Sequence, residues 1–86
     1  CVYPVPDPPP GQTIDPTKVN VEVTIDGNPP VTIPARSNPA DDCAVNACWD
    51  YDLLGNIEIL GAGCDDISTA TDVKVDVVVG CDTIIN

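Results

Sequence analysis

Histidine, phenylalanine and methionine are absent from this 86-residue chain, and Lys18, Arg36 and Lys74 are its only cationic side chains. Without histidine, neither a Ser-His nor a Cys-His nucleophilic pair can be assembled. Zinc sites that mix cysteine with histidine are likewise excluded, which leaves only an all-cysteine arrangement. The five cysteines, Cys1, Cys43, Cys48, Cys64 and Cys81, contain no CxxC pair, so disulfides in an oxidising compartment are the better reading. Fourteen acidic residues against three basic ones give a formal charge of −11. That field repels phosphate backbones and anionic head groups, so neither nucleic acid nor a membrane surface is expected as a partner.

Long apolar runs are missing too: none approaches the roughly 20 residues that a transmembrane helix requires. No basic segment followed by an apolar one marks a signal peptide, and the chain reads as a mature, processed segment. Glycine-rich phosphate loops are absent, since the glycines at Gly61 and Gly63 lack the following helix-and-lysine context. A Ser-Lys pair drawn from Ser37 or Ser68 with Lys74 has no supporting motif. We expect no enzyme here.

What the chain does contain is valine, isoleucine and alanine, with one tryptophan and two tyrosines. A domain of this size buries little more than about 60% of the surface its unfolded chain exposes, so its stability is marginal. Each buried aliphatic side chain contributes only about 1.5–3 kcal/mol. Cysteine cross-links are the expected supplement.

Residues 1–12 hold five prolines and read as an extended arm or linker, a poor strand over residues 2–7, ahead of a stapled β-domain at residues 13–86. Residues 17–26 alternate strictly, with Val19, Val21, Val23 and Ile25 on one face, as a half-buried strand does. Residues 31–33 form a short strand closed by Pro34, suited to an edge. Over residues 44–52, Val45, Ala47, Trp49 and Tyr51 share a face, and this strand should pair with residues 57–60 as a hairpin. Residues 64–70 suggest one short helical turn, with Asp65 and Asp66 at its start. Residues 72–80 repeat the alternation through Val73, Val75, Val77 and Val79, and Cys81 continues the inward parity. The sum is an all-β fold: a small antiparallel β-sandwich, immunoglobulin-like or a partly open barrel.

A Cys64–Cys81 bond would close about 18 residues and contribute roughly 3 kcal/mol, and it is the favoured pair. Cys43 and Cys48 lie on opposite strand parities, but a loop over residues 44–47 could join them. Four cysteines allow three pairings, and geometry decides among them. Cys1 is the odd one, suited to an intermolecular disulfide, to a lipid as at the head of a mature bacterial lipoprotein, or to a bond within the domain that leaves another cysteine free.

The stretch from Trp49 to Cys81, with Trp49-Asp50-Tyr51-Asp52, an Ile-rich partner strand, Cys64-Asp65-Asp66 and a Val-rich strand ending Gly80-Cys81, resembles a cysteine-containing β-module of secreted bacterial surface proteins. Such modules often stand beside von Willebrand factor A domains. The resemblance implies a surface-protein module and no catalytic activity. The family pattern carries a cysteine directly after the Ile strand, where this chain has Gly61. The DxSxS metal motif of an A domain is absent, so no ligand chemistry is implied from it.

Calcium is the most plausible small ligand, through Asp41, Asp42, Asp50 and Asp52 or through Asp65, Asp66 and Asp72, although no EF-hand spacing is present. Trp49 and Tyr51 belong with the core by their parity. Two functions are therefore expected. The first is an extracellular or cell-surface structural protein, a self-assembling homopolymeric filament subunit or a module linked through its N-terminal arm, with residues 13–25 available as a strand donor. The alternative is a calcium-dependent carbohydrate- or protein-binding module.

Overall fold

The structure, a computed structural model, describes residues 1–85. Six strands and one helix follow in the order β1 (Val2–Tyr3), β2 (Val19–Ile25), β3 (Val31–Ile33), β4 (Cys48–Tyr51), β5 (Ile57–Leu60), α1 (Ala62–Thr69) and β6 (Val73–Val79). They form two three-stranded antiparallel sheets, ordered β1-β5-β4 and β3-β2-β6. The architecture is all-β and sandwich-like, as the alternating patterns imply.

The inner faces supply the core. Val19, Val21, Val23 and Ile33 from one sheet pack with Trp49, Ile57 and Ile59 from the other. Val19, Val21 and Ile57 are fully buried. Register explains the selection: Val21 lies between Ile33 and Val77, and Trp49 stands opposite Ile59. Directly opposite residues share a face of the sheet, so each strand presents its alternate apolar residues together. Trp49 and Tyr51 meet edge to face, with ring centroids 5.1 Å apart. Both belong to the packed interior, as their parity suggests. The Trp49 indole N–H is buried with no acceptor among the described residues, a cost that the ring's apolar burial outweighs.

The chain changes sheet at Pro34. Two residues beyond β3, Ala35 bridges Trp49 and Ile85 in parallel. The Trp49 amide donates to the Pro34 carbonyl and the Arg36 amide to the Trp49 carbonyl. Residue 85 thus lies beyond β4, on the opposite side of that sheet from β1.

Three expectations are corrected. Residues 2–7 were expected to make a poor strand in a free arm, yet Val2 pairs with Glu58 and Tyr3 with Ile57. Tyr3 and Val5 pack on the core, so the exposed prolines that follow form a connection held at both ends. The strand expected over residues 44–52 starts only at Cys48, and Val45 is 86% exposed. A six-residue disulfide ring bends that segment out of the sheet, which overrides its alternation. Third, β2 is not a free donor strand, because β3 and β6 occupy both its sides.

The helix is longer than one turn. It covers eight residues with Gly61 as its N-cap, and no side chain caps it. Gly61 has φ +54°, and a Cβ there would overlap the Cys43 carbonyl oxygen. The Ala62 amide donates to that same carbonyl at 2.9 Å. The backbones therefore meet where only glycine fits. Gly61→Ala should destabilise the domain by about 1–3 kcal/mol, measured by urea unfolding, whereas the same change at Gly55, where a Cβ meets nothing within 4 Å, should cost less.

Candidate functional site

Four of the five cysteines are paired in two disulfides and one is free. Cys1 bonds Cys64 and Cys43 bonds Cys48, each with 5.7 Å between Cα atoms. Cys81 is free and exposed. The favoured Cys64–Cys81 pair is thus overturned, while Cys43–Cys48 forms as the loop over residues 44–47 permits. Cys1 is consumed inside the domain, so its thiol is not available for an intermolecular bond or a lipid. The physical reason is β1: pairing with β5 carries Cys1 beside that strand, where the Ile59 amide donates to the Cys1 carbonyl at 2.9 Å. Four residues after β5 ends stands Cys64, in the first turn of α1. Inward parity at Cys81 is lost because β6 ends at Val79, and Gly80 takes φ +101°. The two disulfides point to an oxidising, extracellular setting.

The aspartates proposed as calcium ligands are engaged separately. One carboxylate oxygen of Asp41 accepts the Cys43 amide at 2.9 Å, and one of Asp42 accepts the Ala44 amide at 3.0 Å. Asp52 accepts the Leu54 and Asn56 amides and so closes the turn between β4 and β5. Asp50 accepts two bonds from the Arg36 guanidinium, at 3.1 and 2.8 Å, and one from the Tyr51 amide. Asp26 does comparable work for Thr71 and Asp72. Asp65 and Asp66 lie exposed on α1. Among the described residues no three acidic or cysteine side chains come together as a metal site. Asp41, Asp42 and Asp52 make side-chain-to-backbone turns, a use of aspartate that spacing alone does not distinguish from metal binding.

Arg36 is the centre that sequence reasoning missed. Besides Asp50, its guanidinium donates to the Asp41 carbonyl at 3.0 Å. It therefore ties the loop before Cys43 to the outer face of β4. An open cleft beside it, of about 460 Å³, is lined by Thr17, Ala35, Asp50, Tyr51 and Thr83 among others. Tyr51 donates its hydroxyl to the Pro16 carbonyl at 3.0 Å. Burial, then the nearby Asp15 and Asp50 charges, push its pKa above the ordinary value of 10.0. Asp15 moves the other way, held below the usual carboxylate range by the Thr17 hydroxyl and amide. A second cleft, of about 290 Å³, opens between β2, β3 and α1 and is mainly apolar, with Val31 and Ile33 on its wall. No helix among the described residues is long and apolar enough to cross a membrane. Comparison with protein-family models, with curated proteins and with solved structures finds no match to this chain.

Two outcomes follow from this geometry. The Cys1–Cys64 bond spans a sequence separation of 63 and the Cys43–Cys48 bond one of 5. Paired serine substitutions should therefore cost about 4 kcal/mol for the first and about 2 kcal/mol for the second, by chain entropy, as read from denaturant midpoints. The second concerns pH. Because the folded state raises the Tyr51 pKa, its contribution is intact below the unfolded value near 10.0 and is lost as pH rises through the folded value. Thermal melts should show a loss of stability above that pH that is reduced in Tyr51→Phe.

Proposed function

We propose that the chain is an extracellular structural protein, a self-assembling subunit of a surface filament or a module of a longer surface-bound chain, without a catalytic role. The observation that carries this reading is the Cys1–Cys64 cross-link. It fastens the first residue at one side of the sheet whose other side holds Ile85. Tension applied between Cys1 and Ile85 would be borne across β1, β5 and β4 and the Ala35 bridges that join Ile85 to β4, with Cys1 additionally anchored to α1. The absence of histidine from the sequence and the dispersed, hydrogen-bonded aspartates support a non-catalytic role. So does the resemblance of residues 49–81 to a surface-protein module.

Linkage through Cys1 gives way to Cys81 in this reading. An unpaired thiol in an oxidising compartment suits a bond between chains, and Cys81 is the exposed one. A membrane-impermeant maleimide, applied to intact producing cells after an equally impermeant reductant, should label Cys81. Labelling that appears only after lysis would sink the surface reading. In oxidising buffer the isolated domain should give a reductant-sensitive dimer on electrophoresis that Cys81→Ser abolishes.

A further inference from the structure

Sheet edges are hazards that proteins normally protect, and three of the four here are protected. β1 is two residues long and is followed by Pro4; β3 is three residues long and lies between Pro30 and Pro34. The outer side of β4 is taken up by residues 34–36. β6 differs: it runs seven residues in unbroken register along β2, with no proline, and no other strand among the described residues pairs with it.

The phase of its ladder is fixed by two bonds. The Asp26 amide donates to the Asp72 carbonyl and the Gly80 amide to the Lys18 carbonyl, both at 2.8 Å. In each case the two residues are directly opposite in the β2–β6 register. Such pairs alternate along an antiparallel ladder. Asp72, Lys74, Asp76, Val78 and Gly80 therefore face β2 with their amides and carbonyls. Val73, Val75, Val77 and Val79 turn theirs outward, unpaired by any strand. The side chains of Val73, Val75 and Val77 pack against the core yet remain only partly buried.

We propose that β6 is a self-association edge that pairs antiparallel with β6 of a second copy, in the register centred on Val75. This rests on the structural reading above and names its partner. Outward amides at odd-numbered positions restrict a two-fold pairing to registers that set odd against odd. Centring on Val75 opposes Val75 to itself and Val73 to Val77 as hydrogen-bonded pairs. It also places Lys74 of each copy opposite Asp76 of the other, in the pairs whose side chains approach most closely. Centring on Asp76 would set Asp76 against Asp76, and centring on Lys74 would set Lys74 against Lys74. Centring on Val77 would leave Lys74 opposite Gly80 and Asp76 opposite Val78, and centring on Val73 would leave Asp76 opposite Ala70. Only the Val75 register therefore gives both charges of the strand an opposite partner. The strand itself is neutral, Lys74 balancing Asp76, in a chain of charge −11. The contact is isologous and closes at two copies, so it makes a paired unit and does not by itself extend a filament. It buries the half-covered Val73, Val75 and Val77 against their counterparts.

Sedimentation velocity across a concentration series tests this, on the full chain with its two disulfides intact and Cys81→Ser removing covalent linkage. The expected result is a reversible dimer. Lys74→Asp should weaken it roughly tenfold, and adding Asp76→Lys should restore it, because the swap rebuilds both cross-strand pairs. Hydrogen exchange should show the Val75 and Val77 amides gaining protection as the dimer forms. A chain that stays monomeric, a dimer indifferent to Lys74→Asp, or a double variant as weak as the single one would each overturn the proposal. Its failure is separable from that of the surface reading. A chain labelled on intact cells but monomeric loses only the β6 pairing, and one that pairs but is labelled only after lysis loses the surface role.

Discussion

The bond between Cys1 and Cys64 is the constraint on which most of the other contacts lean. β1 has two residues, too few to hold an edge by ladder bonds and side-chain burial alone. Fixing Cys1 to the first turn of α1 turns the docking of β1 into a local event, and Tyr3 and Val5 then reach the core from a tethered position. The same bond fixes α1 against β5, a helix with no side-chain cap. Its near end is further held by the contact of Gly61 and Ala62 with the Cys43 carbonyl. Because Cys43 carries φ +56° and is bonded to Cys48, the second disulfide braces the first. The two cross-links thus meet around one short segment, residues 61–64.

Acidity has a structural use that its net value conceals. Asp15, Asp26, Asp41, Asp42 and Asp52 each accept backbone amides at a bend of the chain. Several small strands need several turns, and a short carboxylate is a strong acceptor for the amides a turn leaves unpaired. The charge repulsion that results is tolerated because these groups point outward into water, where salt screens them. Arg36 is placed between the carboxylate of Asp50 and the carbonyl of Asp41.

Much of the sheet structure was legible because alternation and burial coincide. Val19, Val21 and Val23 lie inward as their parity requires, Trp49 and Tyr51 pack together, and the strands at Cys48 and Ile57 form the expected hairpin. Alternation failed at Val45 because a covalent ring of six residues outranks a pattern of side chains. Cysteine pairing was not legible, since it depends on which strands become neighbours. No local signal reveals that β1 will cross to β5, given the prolines that follow Tyr3. Nor does the sequence reveal that the Cys43 backbone will approach Gly61 so closely that a side chain there has no room.

A strongly acidic chain should resist meeting its own copies, and the placement of its few cations bears on how it could. Arg36 is spent inside the domain, on Asp50. Lys18 and Lys74 flank the two ends of the β2–β6 ladder, opposite Gly80 and Thr24 respectively. The repulsion between two negative surfaces is thereby lessened locally, because the longest unprotected edge carries Lys74 between Asp72 and Asp76. Lys74 already approaches Asp76 of its own strand at 3.7 Å, with both side chains well exposed. An exposed pair of that kind contributes little by itself. Its value would come on desolvation against a second strand, where the same two charges, repeated in reverse order, find opposite partners instead of each other.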